Sequence, residues 1–168
     1  MNGSLTQSLQ LRSKVEYAYL AGIIDGEGTI GIYRQTNNHR AFRPTVIVVQ
    51  RDQKIPQWLS EAFGGSLTSR VFRIRGGKRN RYGYWRWHID GKKAGVLLQK
   101  CRKYLMLKGE QADCVIALAR TLLQGGKKWT YPKGFHITHT GRPGRPSYRS
   151  DELVTYQESL YQRCHNLN

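Results

Sequence analysis

Acidic side chains are scarce in this chain. Eleven Asp and Glu stand against 28 Lys and Arg in 168 residues, a formal net charge of +17. Solubility needs far less, so a polyanion is the natural counterpart, with nucleic acid foremost. Long apolar runs are also missing. No stretch approaches the roughly 20 residues of a membrane-spanning helix, and no basic amphipathic segment has the wide apolar face of a surface anchor, which argues against a membrane partner. Cysteines are few: Cys101, Cys114 and Cys164 are odd in number and show no CxxC spacing. A disulfide frame and a cysteine-bound zinc are thereby disfavoured, and buried thiols in a reducing compartment are expected. There is no apolar signal core near the N-terminus, so the expected location is intracellular, the cytoplasm of a microbe or an organelle. Disorder is excluded in turn, because 39% hydrophobic residues with four Trp and ten Tyr is too apolar for a solvated coil.

What is present suggests one α+β domain spanning residues 1–168, with residues 1–14 as an N-terminal arm. Val15 to Ile24 is apolar on all sides and predicts a buried helix, closed by Asp25-Gly26-Glu27-Gly28. Strands are expected at Thr29 to Gln35 and Thr45 to Gln50 around a polar loop at Asn37-Asn38. Ile55 to Phe63 predicts a short helix stopped by Gly64-Gly65, and a second hairpin is expected from Leu67 to Arg75 and Tyr82 to Ile89. Helical spacing returns over Lys92 to Tyr104 and Glu110 to Leu123. Residues 124–150 are expected to form an extended basic loop, followed by a C-terminal helix within 151–168. The expected core is therefore helix, hairpin, helix, hairpin, helix, with a curved four-stranded antiparallel sheet bearing helices on one face.

The end of the first helix carries the most chemistry. Asp25 and Glu27 oppose the helix dipole there, each at about 0.3–1 kcal/mol. A hard divalent cation would stabilise them, because Mg²⁺ takes carboxylate oxygens and water and keeps positions open for phosphate. Ala18 and Gly22 lie one turn apart and form a small-residue strip along which a second backbone could approach. Ala21 and Asp25 are assigned to the same contact. Pairing two such helices in a homodimer would bring two Glu27 side chains to the symmetry axis, facing the two strands of one duplex.

The segment Leu20-Ala21-Gly22-Ile23-Ile24-Asp25-Gly26-Glu27-Gly28 resembles the signature of the LAGLIDADG homing endonucleases, in the single-motif branch that acts as homodimers. The likeness extends over residues 15 to 123 in the order of expected elements. It implies a site-specific endonuclease that hydrolyses both strands of double-stranded DNA at a long, near-palindromic target and leaves a short staggered break. It implies a metal bound by the Glu27 side chain and the Gly26 carbonyl, with Glu27 standing where the family has Asp. Mg²⁺ is the expected cofactor; Mn²⁺ should substitute, and Ca²⁺ should support binding without cleavage. Gln50-Arg51-Asp52-Gln53-Lys54 resembles the family segment that supplies a Gln and a basic residue near the scissile phosphate, which nominates Gln50 and Lys54. Leu105-Met106-Leu107-Lys108 resembles the stretch bearing an active-site lysine, so Lys108 is expected to stabilise developing negative charge or order solvent.

Strand alternation supplies a reading face. In Tyr82 to Ile89 the tryptophans Trp85 and Trp87 point with Ile89 toward a core, leaving Tyr84, Arg86 and His88 for base edges and phosphates of a major groove. Tyr33, Gln35 and Asn37 share a parity on the first strand. Arg43, Arg70, Arg73, Arg75 and Arg81 add charge to the hairpins, though alternation leaves the faces of Arg70, Arg73 and Arg75 open. Gly141-Arg142-Pro143-Gly144-Arg145-Pro146 is similar to arms that enter a minor groove through residues such as Arg142 and Arg145. Two rival functions stay open: an RNA maturase of the same fold acting on an intron, and a DNA-binding regulator without catalysis.

Overall fold

The computed structural model describes residues 12–35, 38–73, 81–124 and 151–168. Its first helix, α1, runs from Lys14 to Glu27. Ser13 opens it: the Glu16 amide donates to Ser13 Oγ at 3.2 Å and the Ser13 amide donates to Glu16 Oε2 at 2.8 Å, so two otherwise unpaired amides are satisfied reciprocally. The helix does not stop at Ile24, as its carboxylates and glycines suggested, but carries through Asp25, Gly26 and Glu27.

β1 (Gly28–Gln35) follows with no loop between. That reversal requires glycine at 28, since a Cβ there would lie 2.7 Å from Ile24 Cα. β2 spans Asn38–Gln50 and is longer than its expected Val- and Ile-rich end. Pro44 explains the early part. It pairs with Ile32 of β1, while pairing with β4 begins only at Thr45, so its missing amide falls where β2 has no second neighbour. α2 (Lys54–Phe63) ends at Gly64-Gly65, both with positive φ. β3 (Ser66–Arg73) and β4 (Arg81–Asp90) complete an antiparallel sheet of order β1-β2-β4-β3. α3 (Lys92–Cys101) gives way to a 3₁₀ turn at Arg102–Tyr104, three residues earlier than the expected end of the helix. α4 (Gly109–Gln124) and α5 (Asp151–Asn166) close the described chain.

The helices cover the face of the sheet that carries Ile30, Val46, Val48, Trp87 and Ile89, all buried in one apolar cluster with Leu20, Ile24, Leu59, Leu97 and Leu118. At roughly 25 cal/mol per Å² this burial is the main favourable term in folding. Trp87 fills the centre, and its indole N–H donates to the Gly64 carbonyl at 2.7 Å. Trp85 shares its parity but remains partly exposed. α5 is fixed across β1 and β2 by Arg34, which pairs with Glu158 and lies over the Phe42 and Tyr161 rings. All three cysteines are free and buried. Burial pushes the Cys101 thiol up to about 12 and the Cys164 thiol up to about 11. No helix among the described residues is long and apolar enough to cross a membrane.

Candidate nucleic-acid interface and cleavage site

α1 presents opposite faces to different surroundings. Tyr17, Leu20, Ala21, Ile23 and Ile24 are buried. Val15 is 76% exposed and Tyr19 52%, and Ala18, Gly22 and Gly26 share their exposed stripe at helical spacing. Ala21, expected in the same contact, is instead packed inside the protomer. A Cβ at Gly22 or Gly26 would meet nothing within 4 Å. Nothing inside the protomer therefore calls for glycine at either position, although glycine in a helix interior costs roughly 0.5–1 kcal/mol relative to alanine.

The C-terminal end of α1 is held by the segment before α4. Lys108 Nζ donates to the carbonyls of Ile24, Asp25 and Gly28 at 2.8, 2.9 and 2.6 Å. These acceptors take all three ammonium protons, and the positive charge sits against the negative end of the helix dipole. In return the Asp25 carboxylate accepts from the amides of Met106, Leu107 and Lys108 at 2.7, 3.3 and 3.0 Å. Asp25 thus spends its oxygens inside the protomer, at the base of the exposed side chains of Met106 and Leu107, which are 90% and 76% exposed.

Glu27 is the contrasting residue. It is exposed, and its carboxylate engages no hydrogen bond or ion pair among the described residues. The Gly26 carbonyl is not one of the three that Lys108 takes. No group of three or more His, Cys, Asp or Glu is gathered at one point among the described residues. One carboxylate with one carbonyl fits a hard cation that fills its remaining positions with water and phosphate, and does not fit a site built wholly from side chains. Glu27 directly precedes Gly28, which pairs with Val48, so it stands at the end of the sheet where β2 finishes at Val49 and Gln50. Lys54 begins α2 four residues on, its amide donating to Asp52 Oδ1 at 2.8 Å. Gln50, Lys54, Lys108 and Glu27 thus belong to one end of the fold, contributed by four separate segments.

The sheet face away from the helices carries Tyr33, Arg43, Arg70, Tyr84, Arg86 and His88. Register places Arg86 opposite Val49 and Thr68, His88 opposite Ile47 and Ser66, and Tyr33 opposite Arg43. Arg70 pairs with Tyr84, which settles the face that alternation left open for it. Tyr33 leans back over Gly31, where a Cβ would lie 3.4 Å from its ring. Arg73 and Arg81 pair at the far end of the β3–β4 hairpin, and Gln35 ends β1 beyond a register shift after Arg34. Asn37, Arg75, Arg142 and Arg145 lie outside the described residues, as does the expected basic loop apart from Gln124. Sequence reasoning missed Asp90, which stands on this face beside Arg43 and His88. Its signal was available, because no other acid occurs in any of the four strands.

No protein-family profile and no curated protein sequence matches this chain. Solved structures do resemble it. The homing endonuclease I-CvuI in complex with its target superposes with a TM-score of 0.62 at 20% identity, covering 92% of this chain and 83% of that one. An archaeal intron-encoded homing endonuclease, I-Vdi141I, complexed with DNA, gives a TM-score of 0.58 at 16% identity, covering 94% and 86%. The helix that ends in Gly26 and Glu27, the two hairpins and the helices behind them therefore constitute the homing-endonuclease fold that the LAGIIDGEG segment led us to expect.

Proposed function

We propose that this protein is a site-specific, double-strand DNA endonuclease acting as a homodimer. The observation that carries the reading is the placement of Glu27: an exposed, unengaged carboxylate at the end of a helix whose outer stripe is bare, beside a sheet face lined by Arg43, Arg70, Tyr84, Arg86 and His88. The similar structures, bound to their DNA, support the same reading.

Two α1 helices packed along Ala18, Gly22 and Gly26 would bury the open glycine positions and cover Val15, Tyr19, Met106 and Leu107. This arrangement accounts for glycines that the protomer alone does not require. It sets the two Glu27 carboxylates near the dimer axis, one for each DNA strand. Glu27 and the Gly26 carbonyl would hold a divalent cation, with Mg²⁺ the expected ion; when bound, it would lower the pKa of water and offset charge on the phosphate. Crystals of I-CvuI with its target in the presence of calcium agree with a divalent-ion requirement. Lys108 fixes the backbone that carries Glu27, and Gln50 and Lys54 border the same end to orient solvent or phosphate. The sheet face supplies phosphate contacts from its arginines and base readout in the major groove.

The test is cutting of a plasmid bearing the rejoined DNA that flanks the coding region, with Mg²⁺, Ca²⁺ or EDTA, by wild type and Glu27→Gln. Staggered cutting by wild type in Mg²⁺ alone, abolished in the variant with binding retained, is the expected result. Tight binding without cutting would leave a DNA-binding regulator, and preferential binding of the intron transcript a maturase.

A further inference from the structure

Of the chain's 11 acidic residues, Asp90 alone lies in a strand of the sheet. It follows the buried Ile89 and pairs with Thr45, so it shares the face of His88 and Arg86, away from the helices. A carboxylate on a face that meets phosphate repels the ligand, so its presence calls for a compensating role.

Its contacts indicate that role. Asp90 Oδ2 lies 3.8 Å from Arg43 Nη1 and 3.7 Å from His88 Nε2. The Arg43 guanidinium and the His88 ring are thus gathered about one carboxylate oxygen, yet both separations are longer than a hydrogen bond, so Oδ2 keeps lone pairs for a donor from outside. Asp90 Oδ1, His88 Nδ1 and Arg86 Nε are each buried without a hydrogen-bond partner, and this row of the face is therefore not satisfied internally. An anionic acceptor beside a guanidinium fork has a particular complement in the major groove. A C·G pair presents the cytosine N4 amine next to the N7 and O6 acceptors of guanine.

We propose that Asp90 is a specificity-determining residue that, together with Arg43, reads a C·G base pair. The proposal rests on the reading of this sheet face as the DNA-binding surface. Asp90 accepts from cytosine N4 while Arg43 donates to guanine, and the carboxylate lowers affinity for every sequence that lacks the amine at that position. Asp90 therefore weakens non-specific binding and sharpens specific binding.

The experiment is selection of a randomised duplex library by the full-length protein in Ca²⁺, for wild type, Asp90→Ala and Asp90→Asn, followed by binding titrations on the selected duplex and on a heterologous duplex of equal length. Wild type should select C·G at one position of each half-site. Asp90→Ala should lose that preference by about tenfold or more, the scale of one good base contact, while binding the heterologous duplex several-fold more tightly. Asp90→Asn should shift the same position toward adenine, which asparagine reads through N6 and N7. Loss of binding to both duplexes in equal proportion, or an unchanged preference in both variants, would overturn the proposal and leave Asp90 a packing residue. If wild type retains no duplex at all, the DNA-binding reading falls and this proposal falls with it.

Discussion

Lys108 and Asp25 hold one another's segments in opposite senses. The ammonium takes three main-chain carbonyls at the end of α1, while the carboxylate takes three main-chain amides at Met106 to Lys108. Six hydrogen bonds thereby fix the residues on either side of Gly26 and Glu27 without using either one. The lysine, expected from its sequence context to stabilise developing negative charge or order solvent, has its protons directed at the backbone.

Replacing Lys108 by Met should remove a donor from the carbonyls of Ile24, Asp25 and Gly28, of which Ile24 keeps the Gly28 amide, and cost about 1–3 kcal/mol of stability, read by denaturant unfolding. Cutting should be lost while DNA binding stays within a few-fold of wild type. Lys108→Arg should fail to restore cutting, because a planar fork cannot direct three protons onto three converging carbonyls. Full activity in the arginine variant would show that charge alone matters.

Gly22→Ala should raise the stability of the isolated protomer by up to about 1 kcal/mol, since the added methyl meets nothing and helix propensity improves. Gly22→Leu should instead disrupt self-association by an order of magnitude or more. Sedimentation at several concentrations checks both, and a monomeric wild type would sink the proposed interface.

Arg86→Ala should weaken duplex binding or relax a single base position, and flatten the dependence of binding on salt by about one counterion if the contact is to phosphate. Glu27→Gln should leave that salt dependence unchanged. Filter binding over a series of salt concentrations separates the two.

The buried thiols give a pH prediction. Cys101 titrates near 12 and Cys164 near 11 in the folded protein, each raised from 9 mainly by burial. The unfolded chain loses both protons from about pH 9 while the folded one keeps them. Stability should therefore be unaffected by these groups below pH 9 and fall as pH rises from 9 toward 11 and 12, at about 1.4 kcal/mol per unit for each group. None of the three thiols should react with a thiol reagent at pH 8 until denaturant is added.

Local pattern made most of the fold legible. The apolar α1, the Gly64-Gly65 stop and the alternation around Trp87 are all short-range signals, and each led to the observed element. What was not legible depended on distant partners. The carbonyls at the end of α1 are taken by Lys108, some 80 residues later in the chain; no local rule contains that lysine. Arg70 acquired a face only through its pairing with Tyr84. Small size marked Ala18 and Ala21 alike, yet one is exposed and the other buried, since residue size does not say which side of a helix meets the sheet. Asp90 could have been found by asking which strand breaks the absence of acids.

Glu27 is the last residue of the helix whose bare stripe forms the proposed contact, so assembly and chemistry share one rigid rod. A lone protomer then carries only one of the two carboxylates that a double-strand break requires. At concentrations below the dissociation constant of the pair, cutting should rise with the square of protein concentration. Under the proposed function, scarcity itself would restrain cutting, with no inhibitor needed.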